Sequence, residues 1–144
     1  MKADQATQKG VIQAFKEMFE AYKKKDTQGV LNCWASDPDI VMIGSGKDEK
    51  SVGVEKFVES LTRDWEQANI TAIDVKDFSV SASGNVAWLS SDLTFNYTVK
   101  EKAQQLAGRL TGVMEKRNGK WLWMQMHYSV PNVNQKRGQS WPKK

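Results

Sequence analysis

From Ala6 to Lys25 the apolar positions Val11, Phe15, Met18, Phe19 and Tyr22 recur at spacings of three and four, which draws one apolar stripe along a helix. The stripe ends in Lys23-Lys24-Lys25, and cations suit the negative end of a helix dipole. Asp26 or Thr27 can cap a second, shorter helix through Trp34, with Val30, Leu31 and Trp34 turned inward. The proline of "SDPD" stops it, because proline cannot continue a helix. "DIVMIGSG" is rich in β-branched residues and closes on a glycine turn, the pattern of a short strand. "SVGVEKFVESLTRDWEQA" returns to the helical period, with Phe57, Leu61 and Trp65 four apart.

Beyond that helix the pattern is all strand. "ITAIDVKDFSVSAS" and "VAWLSSDLTFNYTV" flank the turn "SGN", and "AGRLTGVMEK" and "KWLWMQMHYSV" flank "RNG". Helices first and hairpin-linked strands afterwards predict an α+β domain, with the helices on one face of a curved antiparallel sheet. No repeat or low-complexity linker divides the chain, so residues 1–131 read as one domain and 132–144 as a basic tail.

The last hairpin can be read residue by residue. Alternation puts Trp121, Trp123, Gln125, His127 and Ser129 on one face, and Leu122, Met124, Met126, Tyr128 and Val130 on the other. "KRNGK" suggests a three-residue loop with Gly119 in the left-handed conformation. Lys116 then faces Lys120, Arg109 faces His127, Thr111 faces Gln125 and Val113 faces Trp123. A two-residue Asn-Gly turn shifts this register by one and exchanges the partners.

Length and composition narrow the class. At 144 residues with 40% hydrophobic and 26% charged side chains, the chain can bury a single core. No apolar run approaches the roughly 20 residues of a membrane span, and "MKADQATQKG" lacks the apolar centre of a signal peptide. The expected location is cytoplasmic, without a membrane. One cysteine, Cys33, excludes an internal disulfide and fits a reducing compartment. The net charge of +4 is concentrated late, in Lys136, Arg137, Lys143 and Lys144. Such a tail either touches nucleic acid or acidic lipid or is simply solvated. No basic stripe interleaved with aromatics runs through the body, so nucleic acid is not the expected partner.

Several segments, taken in order, carry a family likeness: "W…SDPDIVMIGSGKDE…VGVEKF", then "NVAWLSSDL", "GRLTGVMEKRNGKW" and "HYSVP". Together they resemble a SnoaL-like domain of the nuclear-transport-factor-2-like superfamily. The final hairpin is also similar to the association domain of calcium/calmodulin-dependent kinase. The resemblance implies a cystatin-like cone: N-terminal helices packed on a curved antiparallel sheet, with a pocket between them. It implies pocket positions at Phe57, Trp65, Ser90, Gly112 and Tyr128. Ser90, Gly112 and Tyr128 stand where the association domain has cations, which favours a more apolar ligand. The superfamily hosts isomerases, cyclases, dehydratases and non-enzymatic assembly domains, so fold alone does not choose among them.

Two faces of the sheet compete for function. The concave set is expected to comprise Tyr22, Phe57, Trp65, Trp88 and Ser90, with Met114, Met124, Met126 and Tyr128. Asp92 shares the alternating face of Trp88 and Ser90. A carboxylate in such a pocket has its pKa raised and can exchange protons with a carbon acid. Tyr128 or Tyr22 would donate to a developing oxyanion, so Asp92 and Tyr128 are the expected catalytic pair. A bulge near Ser90–Ser91 would turn Asp92 outward. The other face, with Arg109, Thr111, Trp121, Trp123, Gln125 and His127, reads as a homodimer contact, since exposed tryptophans mark an interaction surface. His127 is either part of that contact or a general base, but no carboxylate is evident to orient it and Ser129 lies one pleat away. A lone histidine makes no metal site, and no cofactor is expected. "GSGKDEK" lacks phosphate-loop spacing and reads as a solvated turn. The expected function is binding of a small apolar or aromatic molecule, extending to cofactor-independent isomerase, cyclase or dehydratase chemistry by acid and base. The alternative is a non-catalytic dimerisation or association domain.

Overall fold

In the computed structural model, which describes residues 1–142, helix α1 (Gln5–Lys23) starts at Asp4. The Asp4 carboxylate accepts the Thr7 N–H at 2.8 Å, satisfying a donor that the first helical turn leaves free. Val11, Ala14, Phe15, Met18 and Phe19 form its buried face. Lys25 takes a positive φ of 57° and turns the chain into α2 (Thr27–Asn32), capped by Asp26 on the Gly29 N–H at 3.0 Å. Trp34 follows that helix and is buried. Of the basic tail, Lys143 and Lys144 lie outside the described residues. Val133 and Trp141 in its described part are exposed.

The remaining elements are β1 (Val41–Ile43), β2 (Lys50–Val52), α3 (Val54–Gln67), β3 (Asn69–Ser83), β4 (Val86–Val99), β5 (Lys102–Arg117) and β6 (Lys120–Ser129). The six strands form one curved sheet in the order β2-β1-β6-β5-β4-β3. Two features depart from the sequence reading. Lys50–Val52 is a strand, and the helix begins only after Gly53, whose φ is +82°. Strand β1 also runs parallel to β6, so the sheet is mixed. That pairing continues the contact made by the preceding segment: the Ala35 N–H reaches the Trp123 carbonyl at 3.0 Å and the Trp123 N–H reaches the Cys33 carbonyl at 2.9 Å.

Strands β4 and β5 pair without interruption. The bulge expected near Ser90–Ser91 lies instead on the neighbouring strand β3, between Lys76 and Ser79, where Asp77 has a φ of +51°. Strand β4 therefore keeps strict alternation. Ala87, Leu89, Ser91 and Leu93 are buried, while Trp88, Ser90 and Asp92 face outward. This corrects the concave placement of those three.

The last hairpin also differs from expectation. Arg117 pairs with Lys120 across a two-residue turn in which Asn118 and Gly119 have φ of +50° and +77°, the combination that matches strand twist. The three-residue loop and its register are thus replaced: Met114 faces Trp123 and Lys116 faces Trp121. A second shift follows at Met124, after which Val113 faces Gln125, Thr111 faces His127 and Arg109 faces Ser129. One extra residue exchanges the two faces of a strand. Trp121 and Trp123 before the bulge, and Met126 and Tyr128 after it, consequently all point into the core. The two tryptophans do not belong to an outer contact surface. Trp123 is fully buried and stacks on Trp34 at 6.0 Å. Gly112 leaves room for its indole, since a Cβ there would overlap the ring.

Candidate functional site

Stripe and cap patterns bring the last turns of α1 and α3 together over the concave face of the sheet. Between them lies a cavity of about 220 Å³, floored by β4, β5 and β6 and rimmed by the β1–β2 loop. Three methionines line it, Met18, Met42 and Met126, beside the rings of Phe19, Phe57 and Phe95. Tyr22 extends the α1 stripe by one further step, and its hydroxyl donates to Asp64 Oδ2 at 2.9 Å. Asp64 lies three residues beyond the buried Leu61 and seven beyond the buried Phe57, so it shares their side of the helix.

Burial pushes the Asp64 carboxyl above the usual carboxylate range and Glu49 adds repulsion, while the bond from Tyr22 and the charge of Arg63 oppose the rise. The Tyr22 hydroxyl is held protonated well above the usual phenol range, first by burial and then by the charge and hydrogen bond of Asp64. Glu49 is the second carboxylate on the wall. It lies 3.6 Å from Arg63, whose guanidinium also meets Asp48 at 2.9 Å.

Tyr128 reaches the same cavity from β6. Its ring crosses Gly108, where a Cβ would sit 2.5 Å from the phenol. Its hydroxyl lies 2.9 Å from the Leu106 carbonyl and 3.0 Å from that of Leu93. The single proton is shared with the backbone, which removes the donor expected for an oxyanion. Burial and the neighbouring Tyr97 push this hydroxyl up to about 12.

Of the expected pocket residues, Tyr22, Phe57, Met126 and Tyr128 line the cavity. Trp65 packs behind Tyr22, with ring centres 5.8 Å apart. Met114 is buried in the core, Met124 is taken up by the bulge, and Trp88 and Ser90 lie on the opposite face. Asp92 is exposed between its strand neighbours Lys76 and Arg109. The proposed partners Asp92 and Tyr128 are therefore on different sides of the sheet. Asp64 and Glu49 are absent from the sequence reading. A carboxylate on the buried stripe of α3 was the signal available for Asp64, whereas nothing local marks Glu49.

On the outer face, Arg109, Thr111, Gln125 and His127 are exposed. A shallow trough of about 360 Å³ runs there beside Trp88, with Ser79, Ser90, Thr111 and Gln125 on its walls. Among the described residues, no group of three or more His, Cys, Asp and Glu is placed to hold a metal ion, and no helix is long and apolar enough to cross a membrane.

Residues 11–133 match the sequence profile of the SnoaL-like domain. Among solved structures, a nuclear-transport-factor-2-like superfamily protein from Salmonella enterica aligns at a TM-score of 0.79 with 18% identity, covering 96% of this chain and 100% of that one. A ketosteroid isomerase-like protein from Erwinia carotovora aligns at 0.72 with 20% identity, covering 85% and 95%. A protein from Xanthomonas campestris, described as a candidate calcium/calmodulin-dependent protein kinase II association domain, aligns at 0.69 with 23% identity, covering 85% and 86%. Identities this low establish the shared fold alone. No curated protein is recognisably similar in sequence.

Proposed function

Because the chain belongs to the SnoaL-like domain family, we propose that the cavity under α1 and α3 receives a small, largely apolar molecule whose polar end meets Asp64. The observation that carries this reading is the Tyr22–Asp64 pair, 2.9 Å apart, on the wall of a cavity otherwise lined mainly by methionine and aromatic side chains. Burying a carboxylate is costly, and a carboxyl displaced upward in a cleft is a recurrent mark of functional sites. Methionines adapt to the shape of a guest at little cost. The volume of about 220 Å³ lies below the range of drug-sized pockets, which favours a ligand built on a single ring.

Proton transfer is the chemistry open to this pair. Asp64 would accept a proton from the bound molecule and return it at a second position, with Tyr22 orienting the carboxylate. Isomerisation, cyclisation and dehydration all fit that description and need no cofactor. The six methionines supply the test. With their methyl groups ¹³C-labelled, a panel of single-ring carbonyl compounds, alcohols and amines should shift the signals of Met18, Met42 and Met126. Met1, Met114 and Met124 would stay in place. A panel that moves none of the three cavity methyls refutes the reading.

A second reading is favoured by a separate observation, the 39% exposure of Trp88 within the outer trough. It is self-association through the outer face of the sheet, with Arg109, Thr111, Gln125 and His127 around that ring. The neighbour described as an association domain lends it support. Sedimentation velocity tests it: a monomer at tens of micromolar would exclude it.

A further inference from the structure

We infer that the cavity selects an organic cation, an ammonium group carried on a small apolar body, over neutral and anionic molecules of the same shape. The inference rests on the reading of this cavity as a ligand site. Among the described residues that line it, the only charged side chains are Asp64 and Glu49, and both are acids. The nearby cations are turned to other partners. Arg63 lies against Asp48 at 2.9 Å and Glu49 at 3.6 Å, and Lys25 Nζ donates to the Trp65 carbonyl at 2.8 Å. An anionic guest would meet like charge with no cation on the wall to receive it.

The rest of the lining favours the same choice. Phe19, Tyr22, Phe95 and Tyr97 present aromatic rings to the space, and the negative face of such a ring attracts a cation, more strongly where water is excluded. Tyr22 spends its one proton on Asp64 and Tyr128 spends its own on backbone carbonyls. These two phenols therefore offer a ligand acceptor atoms and ring faces. A guest that brings its own N–H donors completes the set. An ammonium group does this and also offsets the like charge that Asp64 and Glu49 place on the same wall.

The experiment titrates 2-phenylethylammonium, 2-phenylethanol and 3-phenylpropanoate into the methyl-labelled protein and follows Met18, Met42 and Met126. The ammonium should bind at least about tenfold more tightly than the alcohol, and the carboxylate should give no shifts. In Asp64→Asn, which keeps an acceptor for Tyr22, the affinities of ammonium and alcohol should come within about twofold. An unmoved Met114 signal in that variant reports an intact core. Glu49→Gln should reduce the preference in the same direction. Equal binding of ammonium and alcohol, tighter binding of the carboxylate, or a preference that survives both substitutions overturns the inference while leaving a ligand cavity in place. Silence from all three compounds removes the cavity reading as well.

Discussion

At the scale of single residues, two small details govern the candidate site. Gly108 has no side chain because the Tyr128 phenol occupies that space, with a Cβ falling 2.5 Å from its Cζ and Oη. Gly108→Ala should displace the ring from the Leu93 and Leu106 carbonyls and destabilise the fold by about 1–3 kcal/mol, as overpacking of a filled core does; urea denaturation measures it. Asp64 makes the opposite kind of statement. Burial raises its carboxyl in the folded chain, so below the usual carboxylate range the group imposes no penalty. As pH rises through the interval between the unfolded and folded values, the folded state holds the extra proton and stability falls. Asp64→Asn should abolish that part of the decline. Melting curves of the two proteins, compared below and above the carboxylate range, should therefore diverge with the variant gaining at the higher pH. Parallel curves would show that Asp64 titrates as it does in the unfolded chain.

At the scale of elements, the hairpin β5–β6 carries the main lesson. Its turn holds Asn118 and Gly119 at positive φ, which only glycine adopts freely. Gly119→Ala should cost about 1–2 kcal/mol through left-handed strain, visible as a lowered urea midpoint with an unchanged slope. Asn118→Gly should be close to neutral. Past the turn, the bulge at Met124 lets one strand serve the core twice. Trp123 enters the space above Gly112, and Met126 and Tyr128 still face the cavity. Simple alternation along "WLWMQMHYS" cannot give this outcome, because the period of two restarts at the inserted residue. The bulge on β3 opposite Ser91 absorbs its extra residue on β3 alone. It leaves β4 regular, and Asp92 is outside because Leu89, Ser91 and Leu93 take the buried phase of that strand.

At the scale of the whole molecule, the two faces of the sheet divide the work. The concave face holds the core, the cavity and the helices; the outer face presents Trp88 among small polar residues. Two substitutions separate these roles. Trp123→Glu places a charge at a fully buried position and should abolish cooperative unfolding, since unpaired buried charge is among the costliest changes. Trp88→Glu should leave the melting temperature nearly unchanged, as surface substitutions mostly stay within about 0.5 kcal/mol. If the outer face joins two copies, the same variant should sediment as a monomer where the parent chain does not. Circular dichroism and sedimentation velocity on the two variants read both outcomes.

The sequence by itself determined the class of fold, because it depends on local periodicity. The stripe through Val11, Phe15, Met18 and Phe19, the cap at Asp26, the breaker at Pro38 and the strand runs after Asn69 are each legible within a few residues. It also pointed to Tyr22, Phe57, Met126 and Tyr128, which follow those periods to the cavity wall. Tertiary structure decided which face the remaining side chains occupy. Short β2 and the parallel pairing of β1 with β6 depend on contacts between distant segments, and a bulge costs only one residue in sequence yet reverses every side chain beyond it. Hence Trp121 and Trp123 changed sides, Asp92 went outward because Leu89 and Leu93 hold the buried phase of β4, and a carboxylate on α3 rather than one on β4 came to face the cavity. Asp64 is placed there by Tyr22, 42 residues earlier in the chain, a partner that only the packing of α1 against α3 could supply.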